Sequence, residues 1–211
     1  MTSLMLATRD GHTGALWAAA LQDAGPWQVL APLNTVAELR LTLGRSAPTL
    51  LVTEPTLADG PVDELVRTLQ LRPAQARVLT LVASGRDDDP RLLDVLQAGA
   101  DSILGGLCDA QTLRDAVQDT LAGGADIAPW VARRLLDHFG QSDTAWRVEE
   151  LSNPLALTRD EGLLLRRLAL GHRLGELARE AGVSARDLAA SVRRIYRKVQ
   201  WTLRAGDLQL V

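Results

Sequence analysis

Val78-Leu79-Thr80-Leu81-Val82-Ala83, the polar Asp87-Asp88-Asp89-Pro90, the amphipathic Leu92-Leu93-Asp94-Val95-Leu96-Gln97-Ala98 and the short run Ser102-Ile103-Leu104 follow one another and decide the fold. The first is a near-continuous apolar run, which suits a strand buried on both faces. The amphipathic segment reads as a helix whose first turn contains proline. The carboxylates before it read as N-terminal capping and dipole compensation rather than a metal cluster. Strand, helix and strand of these lengths make a right-handed βαβ unit.

The pattern repeats outward. Strands are expected over 4–8, 28–31, 50–54, 78–83 and 102–104, and helices over 13–24, 36–43, 62–71, 90–98 and 110–122. Five such units predict an α/β, flavodoxin-like doubly wound domain over residues 1–125, ending at Gly123-Gly124. Pro129 then opens a connector helix within 126–140, and the polar stretch 141–156, with Ser142, Asp143, Ser152 and Asn153, reads as a linker.

Residues 157–211 read as all-helical, with helices over 159–170, 174–181, 185–200 and 204–210. Thr158 with Glu161 fits a capping box, and Ser184 with Asp187 a looser version. In the third of these helices Leu188, Val192, Ile195 and Val199 share one face, while Arg186, Arg193, Arg194 and Arg197 fall largely on the other. Gly182 permits the sharp bend of a helix-turn-helix.

Charge separates the two parts. Residues 1–157 carry 12 Arg against 20 Asp and Glu, a balance of −8, whereas 158–211 carry 11 Arg and Lys against 6 acids, a balance of +5. A basic block beside an acidic body suits a polyanionic partner, with a solvated helix face as the plainer reading. With 46% hydrophobic and 23% charged residues among 211, the chain can bury a core, and one cysteine, Cys108, excludes a disulfide scaffold or thiolate zinc site. No apolar run approaches a bilayer span, and the first residues lack a positive n-region, so a cytoplasmic protein without a membrane partner is expected.

Leu157-Thr158-Arg159-Asp160-Glu161, Gly171, Glu176-Leu177-Ala178-Arg179-Glu180, Gly182-Val183-Ser184 and Ile195-Tyr196-Arg197-Lys198-Val199 together resemble the DNA-binding domain of LuxR/FixJ-type (NarL-like) regulators. Gly99-Ala100-Asp101 and the segment from Pro129 to Phe139 resemble parts of a response-regulator receiver and its connector. The resemblance implies a receiver that holds magnesium and takes a phosphoryl group on an aspartate, and a four-helix domain whose third helix enters the major groove of double-stranded DNA.

This sequence departs from that pattern where the chemistry lies. Thr8-Arg9 stand where the receiver's acidic pair belongs, with Asp10 adjacent. Glu54 replaces the phosphoacceptor aspartate, Val82 the Ser/Thr, and Gly105 or Gly106 the lysine. One or two carboxylates beside an arginine do not supply the oxygen ligands magnesium requires, so a pseudo-receiver without phosphotransfer is expected. Arg9 and Glu54 either pair across the pocket or form a surface pair or no contact.

In the tail domain the resemblance assigns Arg186, Arg197 and Lys198 to DNA, and Arg193 and Arg194 are expected on an exposed face as further contacts. Arginine suits guanine edges and phosphates equally, which leaves base reading and positioning both open. Asp187, Ala189 and Ser191 depart from the commoner Thr, Lys and longer polar residue of that family. Without a phosphate loop, zinc motif or nucleophile elbow, and with His12, His138 and His172 scattered, no enzyme and no cofactor are expected. Two readings stand. One is a homodimeric transcription regulator controlled without aspartyl phosphate; the other is a degenerate regulator acting as a protein-interaction module, with a protein partner on the receiver.

Overall fold

The computed structural model describes residues 2–72, 78–84, 89–105, 109–139 and 156–208, with 203–208 described in backbone only. Five parallel strands, β1 (Thr2–Ala7), β2 (Trp27–Val29), β3 (Leu50–Thr53), β6 (Leu79–Ser84) and β7 (Ser102–Gly105), form one sheet in the order β2-β1-β3-β6-β7. That is the flavodoxin-like order, and it places the open crevice beyond the carboxyl ends of β1 and β3. A two-stranded antiparallel ribbon, β4 (Thr56–Leu57) with β5 (Gly60–Pro61), follows β3.

Alternation along the strands sorts side chains to the two faces. Leu4, Leu6, Leu50, Val52 and Leu81 meet Trp17 and Leu21 of α1 (Gly11–Leu21) and Leu113 and Val117 of α5 (Ala110–Leu121). Met5, Leu51, Val82 and Ile103 face the opposite layer, made by α2 (Val36–Arg45), α3 (Asp63–Gln70) and α4 (Arg91–Ala98). This second core does not stop at the receiver. It continues through Val131 and Leu135 of α6 (Pro129–His138) into Leu165, Leu168, Val192, Ile195 and Val199 of the C-terminal helices. The two halves therefore share one apolar core along the connector.

Those helices are α7 (Arg159–Ala169), α8 (Leu174–Ala181) and α9 (Ala185–Leu208). Thr158 and Glu161 form the reciprocal capping box expected of them. At α9 the Ser184 hydroxyl accepts from the Asp187 amide at 3.1 Å and donates to the Asp187 carboxylate at 2.7 Å.

Three local readings need correction. The separate helix expected over 204–210 is absent as an independent element: α9 runs unbroken to Leu208, because no proline interrupts Trp201-Thr202-Leu203 and one glycine costs a helix only about 1 kcal/mol. The strand expected over 28–31 is β2, Trp27–Val29, after which Leu33 alone bridges Ala7. The β4–β5 ribbon has no alternating signal of its own, being two residues per strand. The expected linker, apart from Ala156, lies outside the described residues, as do Asp87 and Asp88.

Candidate functional site

At the carboxyl ends of β1 and β3, Thr8, Arg9, Asp10 and Glu54, four of the residues expected to form a degenerate phosphoacceptor pocket, lie together, and hydrogen bonds within the chain engage them. Thr8 is buried; its hydroxyl donates to the Asp10 carbonyl and its own carbonyl accepts from Asn34. Asp10 caps α1, accepting from the Thr13 amide and hydroxyl, both at 2.9 Å. These bonds hold the Asp10 carboxyl below its ordinary value, the Thr13 amide contributing most.

Glu54 follows β3 directly, and one of its oxygens accepts a short hydrogen bond from the Arg9 backbone amide. The anticipated link between these residues is therefore carboxylate to amide; among the described residues no guanidinium–carboxylate contact joins them. Burial pushes the Glu54 carboxyl above its ordinary range, opposed by that amide and reinforced by the charges of Asp10 and Asp89. Val82 is buried in the sheet, and Gly105 ends β7, whereas Gly106 lies outside the described residues. Asp89 serves the first turn of α4, accepting from the Arg91 amide at 3.0 Å and from the Ser84 hydroxyl at 2.9 Å.

The magnesium site that the resemblance implies does not fit these residues. Octahedral coordination needs several hard oxygens free to face the ion. Both Asp10 oxygens are taken by the Thr13 amide and hydroxyl and one Glu54 oxygen by the Arg9 amide, and among the described residues no three potential ligand side chains gather.

The helix-turn-helix is built by α8 and α9. Gly182, at φ +66°, ends α8 in the left-handed conformation, which a side chain would strain. Beyond it α9 presents three kinds of surface. Val192, Ile195 and Val199 enter the common core; Arg186, Arg194 and Arg197 are exposed; and Ala189, Arg193, Tyr196 and Gln200, spaced at one helical stripe, turn toward the receiver.

That third stripe overturns the expected exposure of Arg193. Its side chain is 5% exposed, and its guanidinium forms an ion pair with Asp101, itself 3% exposed, at the head of β7. The same group donates to the Asp101 carbonyl at 3.2 Å and to the Gly124 carbonyl at 3.4 Å. Around it, the Ala125 amide donates to the Ala189 carbonyl at 3.0 Å, Tyr196 donates to the Asp126 carbonyl at 2.7 Å, and Gln200 donates to the Ala100 carbonyl at 3.0 Å. Gly124 allows the approach: a β-carbon there would stand 2.7 Å from that of Ala189.

The remaining basic residues differ in availability. Lys198 pairs with Glu161 at 2.7 Å and donates to the Ala156 carbonyl, so it fastens the start of α7 to α9. Arg186 lies 3.4 Å from the Ala122 carbonyl, and Arg194 bonds the Ser191 hydroxyl at 2.7 Å. The receiver's half of the clasp, at Asp101 and 124–126, was not singled out from sequence. Its available signal is the stripe Ala189, Arg193, Tyr196, Gln200, a second face on a helix already supplied with a core face.

No protein-family model and no curated protein matches this sequence. Among solved structures, the RcsB response regulator of Salmonella typhimurium is similar over 100% of this chain and 99% of its own, with a TM-score of 0.55 and 15% identity. A structure of two RcsB dimers bound to two parallel DNAs is similar over 94% of this chain and 92% of its own, with a TM-score of 0.53 and 16% identity. A LuxR-family DNA-binding response regulator from Staphylococcus aureus is similar over 57% of this chain and 99% of its own, with a TM-score of 0.52 and 9% identity. The fold is thus that of a response-regulator receiver followed by a helical C-terminal region.

Proposed function

We propose that this chain is a transcription regulator of the response-regulator type that binds double-stranded DNA through α9 and is controlled without aspartyl phosphorylation. The observation that carries the reading is the α8–turn–α9 unit, which holds a basic helix with Arg186, Arg194 and Arg197 at its surface. The whole-chain likeness to RcsB, whose structure as two dimers bound to two parallel DNAs is known, supports it. In this reading Arg197 and Arg194 meet phosphates, and Arg193 reaches base edges or phosphate once freed from Asp101. Two copies would match two half-sites and supply contacts that one domain lacks.

The pocket supports independence from aspartyl phosphate. Glu54 is in place of the acceptor, one of its oxygens accepts from the Arg9 amide, and both Asp10 oxygens accept from Thr13. The receiver then acts as a pseudo-receiver, a binding surface rather than an enzyme.

The interaction-module reading draws on one observation: the Ala189–Arg193–Tyr196 stripe already has an occupant, the receiver itself. Selection of the full chain on a random duplex library, followed by a salt titration, separates the two. Enrichment of a sequence with two half-sites, with affinity falling steeply as salt rises, is the expected result. Retention no better than that of a nonspecific cation, also in the chain opened by Asp101→Asn, would establish the interaction module instead.

A further inference from the structure

The receiver surface beneath α9 is acidic, and one of its carboxyls is uncompensated. Asp126 is pinned at the interface through its backbone: its amide donates to the Ser102 hydroxyl at 2.9 Å and its carbonyl accepts from Tyr196. Among the described residues, its carboxylate accepts only from the neighbouring Ile127 amide, at 2.7 Å. The charged groups around it are Asp115 and Asp119 on α5, and Asp101 at β7. On α9 they are Arg186 and Arg193, beside the titratable Tyr196. Both arginines are turned elsewhere, Arg193 to Asp101 and two carbonyls and Arg186 to the Ala122 carbonyl.

We propose that the clasp between the receiver and α9 is an acid-tightened lock. Asp126 carries a proton while α9 is docked and ionises as α9 leaves, so mild acid holds the nucleic-acid face of α9 against the receiver and a rise in pH releases it. The lock itself does not depend on the DNA reading; only the use of the released face does.

The physical argument is desolvation. A half-buried carboxyl at the seam where Tyr196 of α9 meets its own backbone, near two further carboxylates and, among the described residues, with one amide donor and no ion pair, favours its neutral form. Burial, with Asp119 and Asp115 adding to it, pushes Asp126 from 3.8 up to about 6. Asp119 is displaced in the same direction, by burial and by Asp115. The docked carboxyl thus holds its proton more tightly than the released one, and docking takes a proton up. The added stability of the docked state is complete below the released value and is lost as pH rises through the docked one. Between about pH 7.5 and about pH 5 the docking constant rises roughly tenfold.

The Ala125 amide, which donates to the Ala189 carbonyl at 3.0 Å, reports opening without any DNA. Its hydrogen exchange, measured by NMR on the full chain and corrected for the intrinsic rate, should show about tenfold more opening at the higher pH. In Asp126→Asn, which cannot ionise, opening should stay at the acid level throughout. Asp119→Asn, which removes a repelling charge, should move the wild-type midpoint to lower pH. Opening that is flat with pH, or greater in acid, overturns the lock, and so does an Asp126→Asn chain that responds like the wild type. If Asp126→Asn fails to fold, the Asp119→Asn midpoint decides. Binding of a mixed-sequence duplex at the same two pH values is the second arm. Affinity that follows the opening profile supports both proposals, whereas pH-dependent opening with no duplex bound upholds the lock and overturns the DNA reading.

Discussion

Asp101 and Arg193, 92 positions apart, bury their charges against each other at the seam between the receiver sheet and α9. The receiver offers this guanidinium a carboxylate and two carbonyls, all acceptors, in the way a duplex offers phosphate and base-edge acceptors. If α9 binds DNA as proposed, one side chain cannot serve both, and receiver and duplex would compete for it.

Replacing Asp101 with Asn should open the clasp. Removing one partner of a buried ion pair costs about 3–5 kcal/mol in a rigid interior, and here the stranded arginine can escape by swinging away with α9. Duplex affinity of the full chain, read by fluorescence anisotropy at low salt, should rise at least about tenfold with an unchanged far-ultraviolet spectrum. Unchanged or weaker binding would contradict the competition.

Gly124→Val tests the same seam without altering charge. A β-carbon there already meets that of Ala189 at 2.7 Å and the Asp119 carbonyl at 3.2 Å, and a branched side chain demands more. The expected outcome is an increase in radius of gyration by small-angle scattering. A chain as compact as the wild type would mean that α9 shifts along the receiver without leaving it.

Lys198→Ala should act on stability. The lysine joins Glu161 and the Ala156 carbonyl with little exposure, so its loss leaves a nearly buried carboxylate without its cation and with the Thr158 amide as its remaining donor, at about 1–3 kcal/mol. Thermal melting should show the loss, and the double variant with Glu161→Gln should fall short of additivity.

Arg197→Ala should act on binding. The residue is exposed, and its removal should leave stability within about 0.5 kcal/mol. Binding should weaken alike on all duplexes and the salt slope should flatten by about one unit. A loss confined to one sequence would assign Arg197 to base reading instead.

Magnesium should bind the receiver pocket no more tightly than about millimolar, because both Asp10 oxygens and one Glu54 oxygen are already engaged. Titration calorimetry checks this, and Glu54→Asp alone should not restore a site, since Asp10 would still cap α1.

The strands were legible because each is a short apolar run between helical repeats, and Leu50-Leu51-Val52 or Leu81-Val82-Ala83 are buried where that pattern puts them. The neighbourhood of Arg9, Asp10 and Glu54 was legible from their position after β1 and β3, but the partner atom of Glu54 was not, since an amide leaves no mark in sequence. Arg193 shows the larger gap. Local spacing sets it opposite Leu188 and Val192, and an arginine away from a core stripe is ordinarily solvated. Its burial comes from docking on residues about ninety positions earlier, a tertiary contact that helical periodicity does not encode. The extent of α9 escaped for a related reason: the sequence after Gln200 carries no stop signal, and α9 runs on through the expected break.

Tyr196, the only tyrosine in the chain, has its hydroxyl sealed under the Asp126 carbonyl, and burial raises its ionisation well above the ordinary value. The protein thereby carries its own optical gauge. Phenolate absorbance in an alkaline titration arises from a single, known position, so the height of its midpoint above that of a free tyrosine gauges how firmly that contact is held. No dye, tag or added chromophore is needed to read it.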